Sequence, residues 1–182
     1  MLKIIIKPIV IALMFFCIFH ISPMAKAAGS KEKDVKAIFL FNFTQFITWP
    51  EHTFNSVNAL FNICILGKNP FGGSLSQLLK NEMVNDHPMV LNEFDKIEQV
   101  EKCHILYVSS SRKRDLKDIF TFVQGKSILT VSDIKKFAQK GGMVGFFKQK
   151  RKIRFYIAPQ SMRDVGLVPN SNLLRVAKIV ER

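Results

Sequence analysis

The sequence predicts an α/β fold in which helices cover both faces of a mostly parallel sheet, with an antiparallel hairpin and a helix at the C-terminal end. Short apolar segments alternate with amphipathic segments of helical periodicity through the middle of the chain. Two further apolar segments, within residues 142–159, are so close in sequence that they can pair only as a hairpin. The 182 residues suffice for one domain with a substantial core.

The first predicted element is an aromatic helix in VKAIFLFNFTQFITWP, residues 35–50. Its apolar side chains recur at helical spacing, and Pro50 is expected to end it. Phe41 lies away from the main stripe, which suggests that the helix is buried on more than one side. The stripe itself consists of Val35, Ile38, Phe39, Asn42, Phe43, Phe46 and Ile47.

The middle of the chain alternates between strands and helices, which predicts parallel pairing. The predicted strands are residues 60–66, 88–94, 103–109 and 127–132, and the predicted helices are residues 71–80, 114–124 and 132–140. After Gly141-Gly142, the segments GMVGFFKQ and KIRFYIAP are joined by a basic turn at Lys150-Arg151 and form the predicted hairpin. Residues 170–180 predict the C-terminal helix.

The N-terminal 27 residues have the three parts of a secretory signal peptide. Two lysines form a basic start, residues 8–21 carry no formal charge, and residues 25–27 are an A-x-A cleavage signal. An uncleaved membrane anchor is the alternative, although the uncharged segment is short for a membrane span. Residues 1–27 are therefore predicted to be removed, which leaves a single domain of residues 28–182.

The chain is strongly basic, with a formal net charge of +13 and a pI of about 9.9. Cleavage would remove three lysines and no acid and leave a net charge of +10. Such a charge favours an anionic neighbour, which could be a lipid surface, a cell-wall polymer or an acidic protein face. A diffuse basic surface without such a neighbour is the alternative. Export argues against nucleic acid as the partner.

Cleavage would also leave only two cysteines, Cys64 and Cys103, near the starts of two predicted strands. Two cysteines in an oxidising compartment indicate one disulfide, and neighbouring strands would bring the two sulfur atoms within bridging range. Two buried free thiols are the alternative.

The segment NICILGKNPFGGSLSQLL, residues 62–79, has the order of a phosphate-binding loop: strand, glycine-rich turn, helix. A Walker loop would need Lys and Ser or Thr after Gly72, where Gly73 and Ser74 stand. The simpler interpretation is a strand-to-helix turn with Pro70 at the first helical position.

No nucleophile, metal or paired-carboxylate motif is identifiable, so neither catalysis nor a cofactor is predicted. Three loops nevertheless follow predicted parallel strands and would meet at the carboxyl edge of the sheet, where open α/β sheets bind ligands. Capping of the following helices is the alternative role for their polar groups. The residues that these loops would offer to a small anion are Gly67, Asn69, Gly72, Ser109, Ser110 and Ser132.

With these segments in place, the chain resembles a YfiR-like periplasmic protein over nearly the whole predicted mature chain. The more specific matches are LTVSD…FAQKGGM and the aromatic helix that ends in Trp-Pro. Five segments match in the family's order: VKAIFLFNFTQFITWP, FNICILGKNPFGGSL, CHILYVSSS, ILTVSDIKKFAQKGGMVGFF and KIRFYIAPQSMRDVGLVPNSNLLRVAKIV.

The resemblance implies a small exported α/β domain, often a dimer, without a catalytic site. Such proteins restrain an inner-membrane partner, typically a diguanylate cyclase whose periplasmic sensor domain they bind, and some accompany membrane histidine kinases instead. An outer-membrane lipoprotein that binds peptidoglycan can titrate the restraining protein away. Cytoplasmic cyclic-di-GMP and biofilm formation then rise.

The resemblance also implies a disulfide between Cys64 and Cys103, which match the family's inter-strand pair. A second cysteine pair, found near the hairpin in some members, is absent, so redox control through it is not expected. Where the family favours a FEIN-like run, this chain has Phe155-Tyr156-Ile157-Ala158. The acid and the amide are lost, which puts any ligand contact through them in doubt.

The sequence therefore favours a regulator that acts by binding a protein. The first candidate for the contact surface is the aromatic helix, with Phe39, Phe43, Phe46 and Trp49, and core packing is the alternative role for these rings. The second hypothesis is a periplasmic protein that binds a small anion, nucleotide or amino acid with the three strand-end loops.

Overall fold

The computed structural model describes residues 24–56 and 58–181, with side chains described from residue 31 onward. The chain divides into two units, residues 1–31 and residues 32–182, and of the first only the beginning of one helix is described. The predicted signal peptide falls mainly on residues 1–23, which lie outside the described residues. Its cleavage, and a domain that begins at residue 28, therefore stay predictions.

The strands of the described part are short, and the central strands β5 and β6 are fully buried. They are β1 (Ile47–Thr48), β2 (Phe61–Leu66), β3 (Met83–Val84), β4 (His87–Phe94), β5 (Ile105–Val108), β6 (Leu129–Ser132), β7 (Val144–Gln149), β8 (Lys152–Ile157), β9 (Val168–Pro169) and β10 (Lys178–Ile179). The α-helices are α1 (Met24–Phe46), α2 (Gly73–Leu79), α3 (Leu116–Val123), α4 (Pro159–Arg163) and α5 (Ser171–Val176). Short 3₁₀ helices occupy Glu51–Thr53, Ile97–Gln99, Ser110–Asp115 and Ala138–Lys140.

An eight-stranded sheet has the order β10-β8-β7-β6-β5-β2-β4-β3. Its strands pair in parallel except at β3–β4 and at the β7–β8 hairpin. The small strands β1 and β9 form a separate antiparallel pair. The predicted fold class, a mostly parallel sheet with flanking helices and a C-terminal antiparallel hairpin and helix, is confirmed.

Several predicted boundaries differ from the structure. Helix α1 ends at Phe46 rather than at Pro50, because the next two residues pair with β9. The segment 132–140 forms a turn and a 3₁₀ helix instead of an α-helix, since Lys136 adopts a φ of 62°, which interrupts a right-handed helix. The predicted helix at residues 170–180 ends at Val176, and the chain then adds the edge strand β10.

The two faces of the sheet are covered by different elements. On one face, α1 packs Phe43 against Phe155 and Phe146, with ring centroids 5.4 and 6.1 Å apart. On the other face, α3 packs its buried side chains against Cys64, Leu66, Leu106 and Val108 of the central strands. Alternation along each strand sends neighbouring residues to opposite layers, which is why the short apolar strands serve two cores.

Cys64 and Cys103 form a disulfide bond, with their Cα atoms 6.0 Å apart. Cys64 lies in β2, and Cys103 lies two residues before β5, which pairs with β2 in parallel. Both cysteines are buried in the core under α3. The bond therefore ties together two adjacent central strands that are 39 residues apart in sequence.

Candidate functional site

The carboxyl ends of β2, β5 and β6 lie side by side, so the structure brings the loops that begin at Gly67 and Ser109 into contact. The backbone N–H of Lys68 donates a hydrogen bond of 3.0 Å to Ser111 Oγ. Gly67 has a φ of 88°, and a Cβ atom there would lie 2.5 Å from Ser111 Oγ and 2.7 Å from Arg112 Cγ. Gly67 is thus required by the close approach of the two loops.

The serine side chains at this edge cap local backbone, as the alternative interpretation of the sequence expected. Ser109 Oγ accepts a hydrogen bond of 3.4 Å from the N–H of Ser111. Ser132 Oγ donates to the carbonyl of Val108 and accepts from the N–H of Ile134, at 2.6 and 3.0 Å. Ser110 is exposed at the start of a 3₁₀ helix.

The remaining predicted anion ligands also serve the turn itself. Asn69 accepts from the N–H of Phe71 at 2.8 Å and donates to Glu93 at 2.7 Å. Gly72, with a φ of 57°, is the residue before α2, so the helix begins three residues after Pro70 rather than at it. Most of the polar groups offered by these loops are therefore engaged in local hydrogen bonds, and the binding of a small anion at this edge stays a prediction.

A chain of charged side chains crosses from α1 to the neighbouring loop and hairpin. Lys36 on α1 contacts Asp133 after β6 and Glu32 one turn earlier on α1, each at 2.9 Å, and Glu32 also contacts Lys148 of β7 at 3.2 Å. Burial alone would lower the pKa of Lys36, but its bonds to Asp133 and Glu32 outweigh burial and raise that pKa. The hydrogen bond from Lys36 in turn lowers the pKa of the Glu32 carboxyl, against the effect of burial.

Tyr107 lies buried at the same edge of the sheet. Burial raises the pKa of its hydroxyl, and the nearby negative charge of Asp133 raises that pKa further. Tyr107 therefore stays neutral under ordinary conditions. The charged chain, in contrast, links α1 directly to the loop after β6 and to β7, which fixes the side of the helix that faces outward.

At the opposite, amino-terminal edge of the sheet, four rings stack in a row. His87 stacks on Phe54 at 4.0 Å, Phe54 stacks on His104 at 4.9 Å, and His104 stacks on Phe61 at 4.5 Å. His104 Nδ1 accepts the N–H of Asn62 at 2.9 Å, which places the proton of the neutral ring on Nε2. A groove of about 670 Å³ lies beside this stack, and His104 is one of its lining residues.

His104 is held in its neutral form by its surroundings. Burial is the main cause that lowers its pKa from the ordinary 6.5 to about 4, with a smaller contribution from His87 and an opposing one from the Thr53 backbone. Because the pKa in the folded state lies below that in the unfolded state, the unfolded chain takes up the proton first as the pH falls. Stability is therefore complete above pH 6.5 and decreases as the pH falls toward about 4.

We expect the free energy of unfolding to fall by about 2 kcal/mol between pH 7.5 and pH 5 because of this group. Urea unfolding at the two pH values should show this decrease for the native protein and a clearly smaller one for His104→Phe. His52→Gln, which changes an exposed histidine near the same groove, is the control and should retain the native difference. Equal pH dependence of the native protein and His104→Phe would contradict this account.

Helix α1 carries an exposed apolar stripe, which consists of Val35, Ile38 and Phe46. These three side chains lie within one side of the helix, and Ile38 is 49% exposed. Val168 of β9, next to the end of α1, is exposed as well. Scattered exposed apolar residues are common, but a row on one helix is typical of a contact surface.

The aromatic residues expected at a contact surface have divided roles. Phe43 and Trp49 are buried in the core, and Phe39 is half-buried against Phe146 and Phe155. Only Phe46, at 36% exposure, faces solvent. Sequence reasoning placed Val35 and Ile38 in the same stripe but could not tell that this side faces outward. The sequence feature that indicates the buried side of α1 is the row formed by Ala37, Leu40 and Thr44. These small and aliphatic side chains are buried and allow α1 to approach the sheet.

Within residues 31–56 and 58–181, no group of three or more histidine, cysteine or acidic side chains is placed to hold a metal ion. None of the described helices is both long and apolar enough to cross a membrane. The model of the YfiR/HmsC-like family matches residues 33–178, which is most of the chain. The search of curated proteins gave no match.

Proposed function

The chain belongs to the YfiR/HmsC-like family, whose members are periplasmic regulators of diguanylate cyclases, and from this premise we propose that it restrains the cyclase activity of an inner-membrane protein by binding the periplasmic sensor domain of that protein. The family is regulatory rather than catalytic. In this proposal a cleaved signal peptide exports residues 28–182. The partner is most simply a diguanylate cyclase, and a membrane histidine kinase is the alternative.

The exposed apolar stripe on α1 is the observation that supports a protein contact. A stable interface needs about 800 Å² from each partner, with a few anchoring side chains at its centre. Ile38 and Phe46 can supply such anchors, and the ring packing beneath them holds α1 rigid. Preorganised anchors lose little entropy on binding.

The mechanism would be a shift of population in the partner. If the stripe binds the inactive conformation of the sensor domain more tightly than the active one, occupancy alone keeps the cyclase inactive. A preference of about a hundredfold for the inactive conformation corresponds to a difference of about 2.7 kcal/mol in the free energy of binding. A peptidoglycan-binding lipoprotein of the outer membrane would regulate the process by competing for the free protein, and the protein itself would form a homodimer.

Complementation of a deletion strain tests this surface. Deletion of the gene should raise cellular cyclic-di-GMP, and the native gene should restore the low level. Ile38→Asp should fail to restore it, because a charge at the centre of an apolar interface weakens binding by roughly 30-fold or more.

The matched control is Met83→Asp, which places the same charge on another exposed apolar residue, 52% exposed, in β3 at the far edge of the sheet. It should restore the low level fully. Equal restoration by Ile38→Asp and the native protein, at equal periplasmic amounts, would remove the stripe from the proposal. An unchanged cyclic-di-GMP level after deletion in every growth condition tried would count against the function itself.

A further inference from the structure

One face of the sheet is only partly covered at the end formed by β7, β8 and β10, where Phe137 and Ala138 pack against Gly145 of β7. The core under α3 contains residues of β2 and β5, but within the described residues it includes no residue of these three strands. Phe146 and Phe155 point toward α1, so alternation places Phe147, Tyr156 and Arg154 on the opposite, partly covered face. The rings of Phe147 and Tyr156 are tilted relative to each other with their centroids 4.4 Å apart, and both side chains are only half-buried.

The charge around this face has one sign. Residues 134–163 contain nine lysines and arginines and no acidic residue. Within the described part of the chain, the exposed cations at this end take part in no ion pair except Lys148, which contacts Glu32 on the other face. Six of the unpaired cations lie on the loop before β7 and on the hairpin: Lys135, Lys136, Lys150, Arg151, Lys152 and Arg154.

The aromatic rings and the cations form one continuous surface. Lys178 of the edge strand places its Nζ 4.9 Å from the centre of the Phe147 ring. Lys135 and Lys136 line a groove of about 370 Å³ together with Phe147 and Tyr156. Lys150, Arg151 and Lys152 lie at the tip of the hairpin and are exposed. We call the surface formed by these side chains the basic-aromatic face. It consists of Lys135, Lys136, Phe147, Lys150, Arg151, Lys152, Arg154, Tyr156 and Lys178.

We propose that the basic-aromatic face binds an anionic phospholipid surface, so that the protein lies against the outer leaflet of the inner membrane beside its partner. The location beside the partner rests on the proposed function, whereas binding to the lipid surface goes beyond it and requires no protein partner. Exposed lysines and arginines are attracted electrostatically to an anionic leaflet, and this attraction does not require fixed side-chain positions. Half-buried aromatic rings are favourable in the headgroup region of a membrane.

The alternative anionic occupant, an acidic protein segment, fits these side chains less well. Carboxylates held at fixed positions are bound best by arginine forks that are themselves held in place. Here four of the six unpaired cations are lysines, and within the described residues none of the six donates a side-chain hydrogen bond that would fix it. A fluid surface does not require fixed donors.

Co-sedimentation of the purified protein with lipid vesicles tests the proposal. The protein should bind phosphatidylcholine vesicles that contain about one third phosphatidylglycerol, and it should not bind vesicles of phosphatidylcholine alone. Replacing Lys150, Arg151 and Lys152 together by glutamine should weaken binding about 100-fold, and added salt should weaken it further.

The control carries the same charge change elsewhere. Lys68, Lys80 and Lys102 are exposed lysines outside this end of the sheet, and replacing all three by glutamine should leave vesicle binding within about threefold of native. Thermal unfolding of both variants checks that they are folded. The proposal would be overturned if the two variants lost vesicle binding equally. It would also be overturned if the native protein did not bind the anionic vesicles at about 0.1 M salt.

Two further measurements separate lipid from protein as the occupant. The chain has one tryptophan, Trp49, which is buried, so a Phe147→Trp variant adds a reporter on the proposed face. Its emission should shift to the blue when anionic vesicles are added, and an unchanged emission in the bound state would overturn this placement. Tighter binding to poly-glutamate than to the vesicles would assign the face to an acidic protein instead.

Discussion

Replacing Cys64 and Cys103 together by alanine should lower the free energy of unfolding by about 4 kcal/mol. The bond closes a loop of 39 residues, and the unfolded chain without it gains the corresponding freedom. For a protein of this size the loss corresponds to a decrease in Tm of roughly 12 °C. Alanine avoids burying a hydroxyl group at positions that lie within the core under α3.

Thermal unfolding with and without a reducing agent provides the control. Reduction should bring the Tm of the native protein close to that of the double variant and should leave the variant unchanged. Titration of thiols in the native protein should find none at these two positions. Two reactive thiols after denaturation without reductant, together with a Tm for the variant within about 2 °C of native, would contradict a structural disulfide.

Phe43→Ala should destabilise the protein by about 3 to 5 kcal/mol, because it removes a fully buried ring and leaves a cavity. The ring packs within 5.4 Å of Phe155 and 6.1 Å of Phe146, measured between centroids, so the cavity would open between α1 and the hairpin. Urea unfolding measures this difference. In cells, low periplasmic abundance rather than lost contact should explain any loss of function in this variant.

Phe46→Ala is the matched control, since it removes the same ring three residues later on the exposed side of α1. We expect it to change the free energy of unfolding by less than about 1 kcal/mol and to raise cyclic-di-GMP in cells that contain normal amounts of the protein. Similar destabilisation by both substitutions would show that the helix is rotated relative to the sheet. The outward stripe would then be assigned wrongly.

Much of the fold could be predicted from the sequence because the signals were local. The alternation of apolar strands with amphipathic segments predicted the parallel sheet, and the short basic turn at Lys150-Arg151 predicted the β7–β8 hairpin. Strand β10 could not be predicted, since LLRVAKIV continues a helical pattern and only the backbone of β8 makes Lys178 and Ile179 extended. The left-handed conformation of Lys136 could not be predicted either, because the apolar residues around it have helical spacing.

The site was harder to predict because it depends on distant partners. His104 is buried by Phe54 and Phe61, which are more than 40 residues away, so its lowered pKa had no local signal. The serines were predicted both as caps and as anion ligands; the hydrogen bonds of Ser109 and Ser132 show the capping contacts, and the role as anion ligands stays a prediction. For α1, the pattern showed the stripe, but the side that faces solvent depends on the contacts of Lys36 and Phe43.

Restraint of an inner-membrane cyclase is the central claim, and adding the purified protein to spheroplasts tests it most directly. Spheroplasts from cells that lack the gene expose the periplasmic sensor domains to the added protein. Cyclic-di-GMP in the spheroplasts should fall as the native protein is added, and Ile38→Asp should have little effect at the same concentration. An unchanged cyclic-di-GMP level at saturating amounts of folded native protein would contradict this claim.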